Sequence, residues 1–198
     1  MKTPFSLAVV ATAILAVTAF AAPQKMSPEQ QAMMDRMDKA AKPGAQHALL
    51  TRMAGDWNRT VNLQMDPSKP AQQSQSMSTI TVLLDGRFIQ ETITGQWGGM
   101  PYNGVGLYGF DNVSGQYVAT LIDNTGTGFM NCVGAPDASG KVIRWDATMN
   151  DPASGKPSKS RMVTTVIDDD HYTLEMFAVM TGSDKEAKIM WIDYTRKR

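Results

Sequence analysis

Carboxyl groups on otherwise apolar strand faces are the residues of this chain best placed to do chemistry. Read at a two-residue period, Glu91 shares a face with Ile89 and Ile93, and Asp123 with Tyr117 and Leu121. Asp193 falls in the same way beside Ile189 and Trp191. A carboxylate that points inward needs a partner, because an unpaired buried charge is costly, and Arg59 and Arg144 are the available cations. Two such carboxyls in one cavity would support acid–base catalysis, provided burial raised the pKa of one of them. A few polar groups on an apolar wall also describe a small-ligand pocket. Structural ion pairs are the third reading.

Other chemistries find less support. The two histidines, His47 and His171, are far apart, and the one cysteine, Cys132, offers no internal disulfide and no metal cluster. Cys132 is expected to be a buried, unreactive thiol. His171 alone suggests haem only weakly, since a haem site needs further clues. Fifteen methionines, four of them at Met26, Met33, Met34 and Met37, suit copper(I) by softness, but a flexible apolar helix face is the simpler account. No Gly-x-Ser-x-Gly or Ser-x-x-Lys signature marks a nucleophile. Gly104-Val105-Gly106-Leu107-Tyr108-Gly109 fits the dinucleotide pattern in letters. A turn and a strand follow it, where a phosphate-binding helix is required. Lys and Arg number 19 against 19 Asp and Glu, so no net field steers nucleic acid to the chain. No cofactor and no metal are expected.

These side chains must be positioned by a β domain. Met1-Lys2, the apolar run Phe5–Phe20 and Ala19-Phe20-Ala21 have the form of a secretory signal peptide, with cleavage expected after Ala21. The run is short for a membrane span, so no membrane insertion is expected after cleavage, and the destination is the periplasm or the exterior. The mature chain of about 175 residues can bury a sizeable core. Ser27-Pro28-Glu29-Gln30 predicts a helix start, with Pro43-Gly44 as its stop. A second helix is predicted over Gln46–Met53, closed by Gly55.

From Trp57 the period becomes two, and about ten strand-like runs follow. They are Trp57–Met65, Met77–Leu84, Arg87–Trp97, Tyr102–Phe110, Gln116–Asp123, Gly126–Gly134, Lys141–Met149, Ser160–Ile167, His171–Met180 and Glu186–Tyr194. Asp85-Gly86 predicts a two-residue hairpin, and Asp66–Gln75 a long surface loop. Strands joined by tight turns without helices form an antiparallel meander, and closure into a barrel removes its two exposed edges. The expected organisation is a signal peptide over 1–21, a helical segment over 22–54 and an antiparallel up-and-down β-barrel over 55–198.

Several patterns then coincide. His47-x-x-Leu50 precedes Gly55-Asp56-Trp57, and Leu84-Asp85-Gly86-Arg87-Phe88 forms the hairpin. Gly99-Met100-Pro101-Tyr102-Asn103-Gly104-Val105-Gly106 runs into Tyr108-Gly109-Phe110-Asp111. Ile122-Asp123, Gly126-Thr127-Gly128 and Tyr194-x-Arg196 complete the order. In this the chain resembles the bacterial family called domain of unknown function 1579, over about His47 to Arg198. The resemblance implies a lipocalin-like barrel and no established activity. A looser likeness to lipocalins implies that Arg196 packs on Trp57 at one barrel end. The candidate ligand-binding residues are Trp57, Arg59, Glu91, Tyr108, Asp123 and Trp145, and the expected partner is a small apolar or amphipathic molecule. A hydrolase or isomerase using cavity carboxyls, and an interaction protein with a filled barrel, stand as alternatives.

Overall fold

A computed structural model describes residues 26–97, 99–151, 154–179 and 184–198. The expected signal peptide lies outside the described residues, as do Gly98 and the Gly182-Ser183 turn. Two helices come first, α1 (Pro28–Ala41) and α2 (Ala45–Arg52). At the start of α1 the Ser27 hydroxyl accepts from the Gln30 amide (3.2 Å), and the Gln30 side chain accepts from Ser27 N–H (2.8 Å). This is the reciprocal cap that the residue spacing predicts. No residue of α1 is buried, and Met33, Met34 and Met37 are all exposed. In α2 the His47 ring nitrogen accepts from Gly44 N–H (3.0 Å), so this histidine caps a helix.

Ten strands follow: β1 (Gly55–Leu63), β2 (Gln72–Leu83), β3 (Phe88–Trp97), β4 (Met100–Asp111), β5 (Gln116–Asp123), β6 (Met130–Pro136), β7 (Val142–Asp151), β8 (Lys156–Val166), β9 (His171–Val179) and β10 (Glu186–Arg196). Each pairs antiparallel with the next, and β1 pairs with β10, so the sheet is a closed up-and-down barrel. Alternation sets the inward face: Trp57, Arg59 and Val61 on β1, and Ile89, Glu91 and Ile93 on β3, are buried.

Four local expectations are corrected. β2 begins at Gln72, inside the stretch expected to be a loop, because closure requires a partner for β1 and a ladder needs only backbone groups. Outward polar side chains suit the solvent face of that strand, and Gln75 accepts from the Thr60 hydroxyl (3.2 Å). The β2–β3 turn spans Leu84–Arg87 rather than two residues, since Leu83 pairs with Phe88. Leu84, Asp85 and Gly86 all take positive φ (50°, 55° and 84°). β6 starts at Met130 rather than Gly126, because Asp123 Oδ1 accepts from Thr125 N–H (2.8 Å) and turns the chain out of the ladder. Gly55, expected to close α2, is instead the first residue of β1, and Met53 caps the helix.

The two barrel ends differ. β1, β3, β5, β7 and β9 start at the end occupied by α2, where Leu50 is buried and Leu49 and Met53 pack on the core. Arg196 lies over the Trp57 ring, 4.3 Å from guanidinium carbon to ring centroid, as the lipocalin likeness implies. The two residues are direct cross-strand partners. The other end carries the β3–β4 and β5–β6 turns and has no helix across it among the described residues.

Candidate ligand cavity

Between the helix-stoppered end and the open end lies a cavity of about 110 Å³. Its wall is mostly apolar, with Ile93, Leu121, Met130, Met162 and Ile192 among the lining residues. Polar groups gather on one side of it, and the strand register explains why. Arg59 faces Tyr194 across β10 and Ser76 across β2. Its guanidinium carbon sits 5.0 Å from the Tyr194 ring centroid. Glu91 faces Ile80 on β2 and Gly106 on β4.

Gly106 is what lets the polar group form. A Cβ there would stand 2.6 Å from Tyr108 Cε2, so any side chain would displace the tyrosine. With hydrogen in that place, the Tyr108 ring folds over its own strand and its hydroxyl donates to Glu91 Oε2 (3.0 Å). Gly134 does the same for Trp145: a Cβ would stand 2.6 Å from Cε3 of the indole. The indole N–H then donates to Thr164 Oγ1 (3.0 Å), and the ring packs edge-on to Tyr108 at 6.3 Å. The glycines of the dinucleotide-like pattern therefore make room for aromatic rings within a strand.

Arg59 is 6% and Glu91 3% exposed, yet Arg59 Nε and Glu91 Oε1 have no hydrogen-bond partner among the described residues. No ion pair within 4.0 Å joins the two side chains. Ser76 Oγ, also on the cavity wall, is likewise buried and unpartnered. Burial opposes the charge on Arg59, but Tyr194 and Glu91 outweigh it and hold the guanidinium protonated more firmly than a free arginine. Burial, reinforced by Glu91, drives the Tyr108 phenol well above its usual range, so it stays a donor. Burial also lifts Tyr194, with Arg59 opposing. Tyr102 is pushed up to about 12 by burial and by Asp123. The Cys132 thiol lines the cavity and is pushed up to about 11 by burial.

Of the six candidate residues, Arg59, Glu91, Tyr108 and Trp145 come together on this wall. Trp57 does not line it; the indole is held at the stoppered end by Arg196 and Tyr172, and its N–H donates to Met53 O (2.8 Å). Asp123 does not line it either. Its Oδ2 accepts from Tyr102 OH (3.3 Å), and its Oδ1 is committed to the Thr125 turn. Glu91 is thus the one carboxyl on the cavity wall among the described residues. Asp193 is half-exposed on the outer face, 3.7 Å from His171, and Arg144 is exposed. A register shift between Lys188 and Met190 moves the following residues of β10 to the opposite faces, so Ile192 and Tyr194 turn inward. Among the described residues, no three His, Cys, Asp or Glu side chains gather to hold a metal.

Sequence reasoning missed Tyr194, Tyr102 and Ser76 as wall residues. Tyr102 was legible, since it shares a period-two face with Gly104, Gly106 and Tyr108. Tyr194 was hidden by the bulge, and Ser76 by the reading of its segment as loop.

The architecture and the partly polar interior define a small up-and-down barrel with an internal chamber. Residues 42–196 match the family model described as "Protein of unknown function (DUF1579)", and the chain belongs to that family. The crystal structure of Rv2717c from M. tuberculosis is similar in fold, with a TM-score of 0.58 and 14% identity, covering 79% of this chain and 100% of that one. A redesigned β-barrel, b11L5F_LGL, aligns at a TM-score of 0.41 and 12% identity over 76% of this chain and 96% of its own. No curated protein matches the chain.

Proposed function

We propose that this protein is an exported barrel that binds a small apolar or amphipathic molecule in its interior, in the periplasm or outside the cell. The observation that carries the reading is the cavity of about 110 Å³ with two buried, unpartnered polar atoms, Arg59 Nε and Glu91 Oε1, on a largely apolar wall. Apolar surface supplies affinity in such pockets and a few polar groups fix orientation. A barrel filled for structural reasons alone would satisfy those atoms internally. The catalytic reading is weaker, because among the described residues Glu91 has no second carboxyl beside it in the cavity. Export rests on the N-terminal sequence, Met1-Lys2 followed by the apolar run to Phe20 and Ala19-Phe20-Ala21.

Cell fractionation followed by native mass spectrometry of the protein from whichever fraction holds it tests both parts. The expected result is a mature chain beginning at Ala22 that carries a small non-covalent mass. A cytoplasmic protein retaining Met1 would overturn export. A chain that carries no added mass and takes up no small apolar compound would overturn binding.

A further inference from the structure

We infer that the chamber selects a compact molecule with a neutral head that both accepts and donates hydrogen bonds, such as a primary amide or a lactam, on a ring-sized apolar body. This rests on the ligand-binding reading above and specifies the chemical class of the ligand. Two facts fix the head. Arg59 Nε is a donor only and Glu91 Oε1 offers a lone pair, and both are nine-tenths or more buried without a protein partner. A buried polar atom left unpaired forfeits its hydration without replacement, so a head that satisfies both is favoured over one that satisfies either alone. Their formal charges cancel. An anionic head would meet Glu91, a cationic head would meet Arg59, and each would bring an uncompensated charge into an apolar chamber.

The body follows from size and lining. In proteins generally an apolar cavity of ~150 Å³ takes up benzene. The space here, about 110 Å³, is smaller, so the enclosed part of the body is no larger than a single ring or a short branched chain. Trp97, only partly buried near the open end, and Gln96 beside it line the outer part, so a substituent would extend toward the mouth. Met130 and Met162 on the wall can shift to fit an irregular body.

Calorimetric titration of the full mature protein with toluene, benzamide, benzoate and benzylammonium tests the assignment, since the four share one ring and differ in the head. Benzamide is expected to bind at least tenfold more tightly than the other three. It is also expected to slow alkylation of Cys132, the cavity thiol, by iodoacetamide. In Glu91→Gln the preference moves toward benzoate by about tenfold, a change of selectivity that loss of stability alone would not produce. The wild-type ranking stands as the test if that variant does not fold. Toluene binding as tightly as benzamide, or benzoate or benzylammonium binding best, overturns the head assignment and leaves the binding reading intact. No binding by any of the four at millimolar concentration, together with a native protein that carries no added mass, overturns both.

Discussion

The two ends of this barrel solve opposite problems. At the stoppered end most polar groups find partners within the protein, Ser78 Oγ, on the strand partner of Trp57, being the exception. Arg196 donates to the backbone carbonyls of Asp169 (2.8 Å), Ala54 (2.7 Å) and Arg52 (3.0 Å) while lying over Trp57. The Trp57 indole is 1% exposed with its N–H bonded, and only about 30 Å³ of space remains above α2. Farther from α2, Arg59 and Ser76 keep unpartnered atoms, as does Glu91 at the border between that space and the larger cavity, and Met100 and Phe129 are exposed beside the mouth. The first arrangement is what a fold needs to stay shut. The second leaves stabilisation unused, which is the usual mark of a site kept for something other than stability.

The largest effect is expected at the stopper. Trp57→Ala removes a large, fully buried side chain at that end and its carbonyl bond, and should lower unfolding free energy by about 3–5 kcal/mol in urea denaturation. A loss under about 1 kcal/mol would mean that the end is not a rigid plug. Arg196→Met comes next. It deletes three bonds to carbonyls and the cation over the indole, for an expected loss of about 2–3 kcal/mol. Occupancy of the cavity should be unchanged in the folded fraction; a parallel loss of binding would show that the two ends are one unit.

Tyrosines Tyr108, Tyr172 and Tyr194 link the two halves, and burial raises the phenol pKa of each above its unfolded value. Their contribution is therefore complete below the unfolded phenol value of about 10 and is lost as pH rises through the higher folded values. Denaturation midpoints measured from pH 8 upward should hold steady and then fall past about pH 10, with phenolate absorbance appearing only as the protein unfolds. Phenolate signal in a protein that remains folded would place these rings in solvent. The smallest effect is expected on the open side: Ser76→Ala removes an unpartnered hydroxyl and should change stability by no more than about 0.5 kcal/mol, or raise it. A loss above about 1 kcal/mol would reveal a partner for that oxygen and erase the contrast between the ends.

Much of the barrel was legible because alternation is a local property. The runs from Gln116 to Asp123 and from His171 onward show their strands directly, and the inward set Ile89, Glu91, Ile93 follows from a period of two. The cap at Ser27 and the stop after Ala41 were likewise written in neighbouring residues. Where Gln72 would find a partner was not, since its strand exists only because β1 must be covered on both sides.

The candidate site divides in the same way. That Arg59, Glu91, Tyr108 and Trp145 belong to strand segments with an apolar face follows from residue order alone. That these four share one chamber, that Trp57 serves the stopper, and that Asp123 is spent on a turn and Tyr102 emerges only in the folded barrel. The reason is register. Alternation tells which side of a strand a residue takes, but its height along the barrel depends on how ten strands are staggered against one another and on where a bulge such as that at Lys188/Met190 shifts the count.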